Sequence, residues 1–189
     1  EQIVINIRER IQELPCSSLR EQQQAYKTLS EYLISSSPTQ TWSRIMEWKN
    51  NQPLQGYPEL LMNWSEIKQL NLNPLITIGA HTHTHPNLSL CTETELFEEM
   101  YTCKQILESK LGDTIKHFAY PYGGADQVAE REFKLVKEVG FSTAVTTRSS
   151  PIKQTQPHAL PRQFPKQETC LSHMQNRLNG WNSMFQTQA

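Results

Sequence analysis

Apolar residues at Ile3, Ile7, Ile11 and Leu14, spaced four, four and three apart, predict an amphipathic helix stopped by Pro15. A second helix is expected behind Ser18, whose spacing to Glu21 is that of a capping box. Its inward stripe is Leu19, Tyr26, Leu29 and Leu33, up to the break at Ser35-Ser36-Ser37-Pro38. Trp42, Ile45, Met46 and Trp48 read as a third helix, with the aromatic residues spaced as core rather than as a ligand platform. Residues 50–58 are polar, with Pro53, Gly56 and Pro58, and form a loop tethering this helical front to the remainder of the chain.

The pattern then changes. Ser65 to Leu70 suits one or two helical turns, and Leu75 to Ile78 a short buried strand. Thr92 and Glu95 open a helix with Leu96, Met100, Cys103 and Leu107 on one face, closed by Gly112 at the C′ position. Ile115 to Ala119 reads as a strand, and Tyr120-Pro121-Tyr122-Gly123-Gly124 as a turn-rich loop. Asp126 is the expected cap of a helix with Val128, Phe133, Val136 and Val139 inward, ended by Gly140. Thr143 to Thr146 is the next strand, Ala159 to Arg162 a further one, and Thr169 to Leu178 a last helix.

Strand and helix thus alternate from residue 75 onward, which predicts an α/β chain of βα units forming a parallel sheet or barrel. Residues 1–63 are expected to be a helical front of the same domain, and 64–189 the βα core. In such folds the loops at the ends of the strands carry chemistry.

One of those loops is loaded. His81, His83 and His85, three of the six histidines, lie within five residues behind an apolar run. Neutral imidazole is a ligand for divalent transition metals. Pro86 biases His85 away from the α region, so a helical pair is disfavoured. A fully extended strand would put all three rings on one face. A loop curling off the strand would let His81 and His85 chelate together while His83 points elsewhere.

Composition narrows the partners. With 18 Lys+Arg against 19 Asp+Glu there is no electrostatic footprint for nucleic acid. No apolar run approaches the ~18 residues of a membrane span, and no signal-peptide region is visible, so a soluble chain is expected. Cys16, Cys91, Cys103 and Cys170 contain no Cys-x-x-Cys pair and suit buried thiols in a reducing compartment. A cytoplasmic location is therefore expected over export. Residue 1 is Glu, which leaves open that an N-terminal piece has been removed.

The stretch from Ile78 to Ser89, with His81-Thr82-His83-Thr84-His85-Pro86, resembles the second motif of the polysaccharide deacetylase family, or NodB-homology domain. His117-Phe118-Ala119-Tyr120-Pro121-Tyr122-Gly123 resembles its third motif. Gly140 to Thr147, Leu160-Pro161-Arg162 and Arg177-Leu178-Asn179-Gly180 are similar to the tail of a bacterial subgroup, so the likeness runs from about residue 64 to 180. It implies a partial or distorted (β/α) barrel that removes acetyl groups, N-acetyl foremost, from a polysaccharide or glycan using a divalent metal, with zinc the expected ion. His81 and His85 would be metal ligands. The Tyr122 backbone N–H, in the turn set by Pro121, would help hold the oxyanion, a kind of donor worth on the order of 3 kcal/mol. Arg162 could face the substrate, and His173 or His158 could stand for the family's late histidine.

The family's first motif, an Asp-Asp-Gly supplying the base and a third ligand, has no counterpart, since the only aspartates are Asp113 and Asp126. A truncated or degenerate member is expected, with a weakened two-histidine site and little or no hydrolysis. The alternatives are a glycan-binding module without catalysis and a metallohydrolase using all three loop histidines. An incomplete barrel would also expose a strand edge, so self-association is expected.

Overall fold

A computed structural model describes residues 2–7, 10–51, 61–150, 156–164 and 174–176. The chain divides into two compact units, Glu1–Leu61 and Met62–Ala189.

The first unit opens on a hairpin where a helix was expected. Strands β1 (Gln2–Ile7) and β2 (Arg10–Pro15) pair antiparallel, with Ile3 opposite Leu14 and Ile5 opposite Gln12. The helical reading of Ile3, Ile7, Ile11 and Leu14 ignored Ile5, which the period of two places beside Ile7. Both are buried, whereas Ile11 is exposed. A run of β-branched side chains alternating in this way suits a pleated surface better than a helix.

Helix α1 (Leu19–Ile34) lies against β2 and starts as expected, since Ser18 and Glu21 exchange both capping-box bonds. Its buried position is Ala25, while Leu19 and Tyr26 are 71% and 74% exposed, so the predicted stripe is rotated. Helix α2 (Pro38–Asn51) comes next, with Pro38 at the first helical position, where its missing N–H costs nothing. The side chains of Trp42 and Trp48 lie outside the described residues.

The second unit begins with α3 (Trp64–Asn71), capped by Asn63. The expected strand at 75–78 does not form. Asn73 accepts the Leu75 N–H through its side chain and the Ile76 N–H through its carbonyl, holding a turn that leaves Leu75 93% exposed. Pairing starts at Ala80. Its N–H donates to the His117 carbonyl, and its own carbonyl accepts the Ala119 N–H, both at 2.8 Å. Ala80, β3 (His117–Ala119), β4 (Thr143–Val145) and Leu160 lie side by side in that order, all parallel.

Helix α4 (Glu93–Leu111) has the predicted ends, a Thr92/Glu95 capping box and a left-handed Gly112. Helix α5 (Glu130–Glu138) does not use Asp126, which sits in a turn; the Ala129 N–H is satisfied by Glu132 instead. Leu96 and Met100 of α4 join Val136 of α5, Phe118 of β3 and Ala144 of β4 in one core with Leu88, Tyr120 and Val128. Each large apolar side chain, fully buried, contributes about 1.5–3 kcal/mol. The last predicted helix is described only at 174–176. The result is a partial βα barrel with no closed barrel among the described residues.

Candidate metal centre

Ala80 and Ala119 end neighbouring parallel ribbons, so the loops beyond them leave the same edge of the sheet. His81 comes first. Its Nδ1 lies 2.7 Å from the Ala119 carbonyl oxygen. A carbonyl only accepts, so Nδ1 carries a proton and donates, which leaves Nε2 as the ring nitrogen that could meet a metal.

Thr82 and His85 both adopt the left-handed region, at φ 64° and 59°, and the chain curls between them. The buried Thr82 hydroxyl donates to the His81 carbonyl at 2.6 Å and accepts the His85 N–H at 3.1 Å. The rings of His81 and His85 then meet edge to face, centroids 4.8 Å apart at 70°. Of the two geometries that the spacing permits, the chain forms the curled one. All three histidines are solvent-exposed, and the backbone N–H groups of His83 and Thr84 donate to Glu99 on α4 at 2.9 and 2.8 Å.

The second loop packs on the first. Tyr122, at φ 58°, sets its ring 5.0 Å from that of His85 at 77°. Pro121 is fully buried. Thr147, just beyond β4, donates its hydroxyl to the Tyr122 carbonyl at 2.7 Å and its N–H to the Gly123 carbonyl at 2.9 Å. Tyr120 is buried and donates to the His158 carbonyl at 2.7 Å; burial first, and Glu132 second, push its phenol far above the ordinary range. Behind the histidine loop, Arg131 donates to the carbonyls of Leu88 and Cys91 while pairing with the buried Glu132 at 2.6 Å.

Partial desolvation first, and His81 second, lower the pKa of the solvent-exposed His85 imidazole from its ordinary value, which favours the neutral ring. A neutral imidazole is the form that binds metal. The pair therefore fits a divalent ion in donor chemistry, as two of its ligands. Among the described residues no group of three or more His, Cys, Asp or Glu is placed to hold a metal. Asp113 accepts the Thr114 N–H, and Asp126 is exposed in its turn.

The other predicted positions differ in their surroundings. Arg162 donates from Nε to the Thr146 carbonyl at 3.0 Å and stacks on Phe164, so its partners include the turn after β4. His158 has Nε2 2.9 Å from the Phe141 carbonyl, a structural bond. His173 lies outside the described residues. The sequence reading missed Thr82, Glu99, Arg131 and Thr147. Thr82 alone had a local signal, a hydroxyl residue three positions before His85, where side-chain turns form.

Solved structures of deacetylases are similar to this chain in fold. A Streptococcus pyogenes deacetylase, PplD, in complex with acetate shares 17% identity at a TM-score of 0.57, over 62% of this chain and 50% of its own. A de-N-acetylase from Aggregatibacter actinomycetemcomitans shares 16% at 0.52, over 68% and 59%. A polysaccharide deacetylase from Bacillus cereus shares 22% at 0.53, over 68% and 39%. The chain thus spans between 39% and 59% of the length of these proteins. No curated protein matches it. The family model described as polysaccharide deacetylase matches residues 22–144, from within α1 to β4, and the chain belongs to that family.

Proposed function

We propose that this chain carries part of a metal-dependent glycan deacetylase site, in which His81 and His85 are two ligands of one divalent ion, zinc foremost, and the substrate is an N-acetylated polysaccharide. The observation that carries the reading is the His81–His85 ring pair, with one ring oriented by the Ala119 carbonyl and the other packed edge to face on Tyr122. A bound divalent ion supplies Lewis acidity toward an acetyl carbonyl and lowers the pKa of a coordinated water.

The chain's own residues bind and orient. The Ala119 carbonyl fixes the His81 tautomer, Thr82 sets the angle between the two rings, and Tyr122 walls the site beside His85. The Tyr122 backbone N–H is the proposed donor to the developing oxyanion, supported by the position of its ring and by the family resemblance. The Asp-Asp pair is missing and the described residues offer no third ligand, so the expected behaviour is weak metal binding and little hydrolysis.

Acetate release from chitooligosaccharides, measured with and without added Zn²⁺, tests activity; robust turnover would overturn the expected weakness. Metal titration of alanine variants tests the site. His81→Ala and His85→Ala should each abolish binding and His83→Ala should leave it, whereas equal loss in all three would point to a three-histidine site. Glycan binding that is indifferent to chelators and unaccompanied by acetate would instead mark a binding module.

A further inference from the structure

We propose that Glu99 is the positioning residue of the His81–His85 pair, a role that rests on the two-histidine metal reading. Its carboxylate takes three hydrogen bonds from the two residues in the middle of the loop. Oε2 accepts the N–H groups of both His83 and Thr84, and Oε1 accepts the Thr84 hydroxyl at 2.5 Å. Two successive N–H groups converge on one atom only where the backbone is concave, and such a concavity is closed by a hydrogen-bond acceptor at its focus.

The acceptor sits on a helix packed into the core. Glu99 precedes Met100, which is fully buried in the core with Leu96, so packing of α4 anchors the carboxylate. The loop in turn needs an external hold, because Thr82 and His85 sit in a backbone region that side-chain-bearing residues avoid. Thr82 ties the ends of the curl from inside, and Glu99 ties its middle from outside. Together they leave little freedom in the separation of the two rings. The hold of Glu99 is on the backbone between the two imidazoles, and it acts on the rings through that backbone.

The test uses the full chain with Glu99→Ala, Glu99→Asp and Glu99→Gln. In E99Q the amide oxygen can still receive both N–H groups and the amide nitrogen can donate to the Thr84 hydroxyl, so the curl should survive. In E99D the carboxylate falls short, and in E99A it is gone. Two readouts are made. Contacts between the His81 and His85 rings are monitored by nuclear Overhauser effects in the metal-free protein. Affinity and visible absorption are monitored on titration with Co²⁺.

The expected result is loss of the ring-to-ring contacts in E99A and E99D, Co²⁺ binding weakened by about 10–100-fold with an altered spectrum, and rescue by E99Q. E99A retaining the contacts, the affinity and the spectrum would overturn the proposal. So would E99Q behaving like E99A while both stay folded, because the geometry would then not be what matters. If wild type binds no Co²⁺ yet its ring contacts depend on Glu99, the positioning role stands and the metal reading falls. If E99A fails to fold, the comparison of E99D with E99Q decides.

Discussion

Gly123 and Gly112 share a left-handed backbone, at φ 63° and 70°, but not a neighbourhood. A Cβ on Gly112 meets nothing within 4 Å, whereas one on Gly123 would stand 2.8 Å from the Thr147 backbone nitrogen and 3.0 Å from Thr147 Cγ2. Gly112→Ala should therefore cost only the left-handed penalty, about 1–2 kcal/mol. Gly123→Ala adds a forced displacement of packed backbone, about 1–3 kcal/mol, for a total of about 2–5 kcal/mol. Denaturant titration of both variants against wild type measures the two costs, provided the slope m is unchanged. The difference between the variants isolates the steric part. Displacing Thr147 also loosens its bonds to Tyr122 and Gly123, so Gly123→Ala should weaken metal binding while Gly112→Ala should not. Equal costs for the two glycines would refute the close approach of Gly123 to Thr147.

The metal-free protein should lose stability as pH falls. The folded pKa of His85 lies below its ordinary value of 6.5, so its contribution is full above 6.5 and disappears as pH drops through the lower folded value. Melting curves should show a slope there that His85→Ala flattens, and an unchanged slope would refute the assignment. Cys91 is buried and its thiol is pushed up to about 12, chiefly by burial, so a thiol reagent should leave it unlabelled until the protein is denatured. Prompt native labelling at Cys91, located by peptide mapping, would contradict that burial. Leu75 is exposed beside a ribbon that pairs with β3 from Ala80, so reversible association is expected in sedimentation velocity, reduced by Leu75→Lys. A monomer at all concentrations would count against it.

Local chemistry was the part of this fold that the sequence displayed. The Ser18/Glu21 and Thr92/Glu95 boxes and the left-handed Gly112 are bonds between residues a few positions apart, so their spacing is the structure. The strands at His117–Ala119 and Thr143–Val145 were legible because β-branched and apolar residues stand between clear turns. The hairpin at residues 2–15 was not, because Ile3, Ile7 and Ile11 satisfy a helical step while Ile5 belongs only to the period of two. Asn73 and Pro74 outweighed the apolar run behind them at 75–78, since a side-chain-closed turn removed backbone that a strand would have used. At the site, the histidine loop announced itself by composition, but the spacing alone left two geometries open. Glu99 decides between them from 15 or more positions away, on a helix face that gave no sign of the role.

Thr82, His85 and Tyr122 are all side-chain-bearing residues in left-handed conformations, and they cluster where the two loops meet. That tension has a direction: substitutions that relax these turns, such as Tyr122→Gly, would make the chain easier to fold and the proposed cation site harder to form. Screening this protein for heat resistance alone would therefore tend to erode the site, and selection for bound metal would tend to preserve the strain.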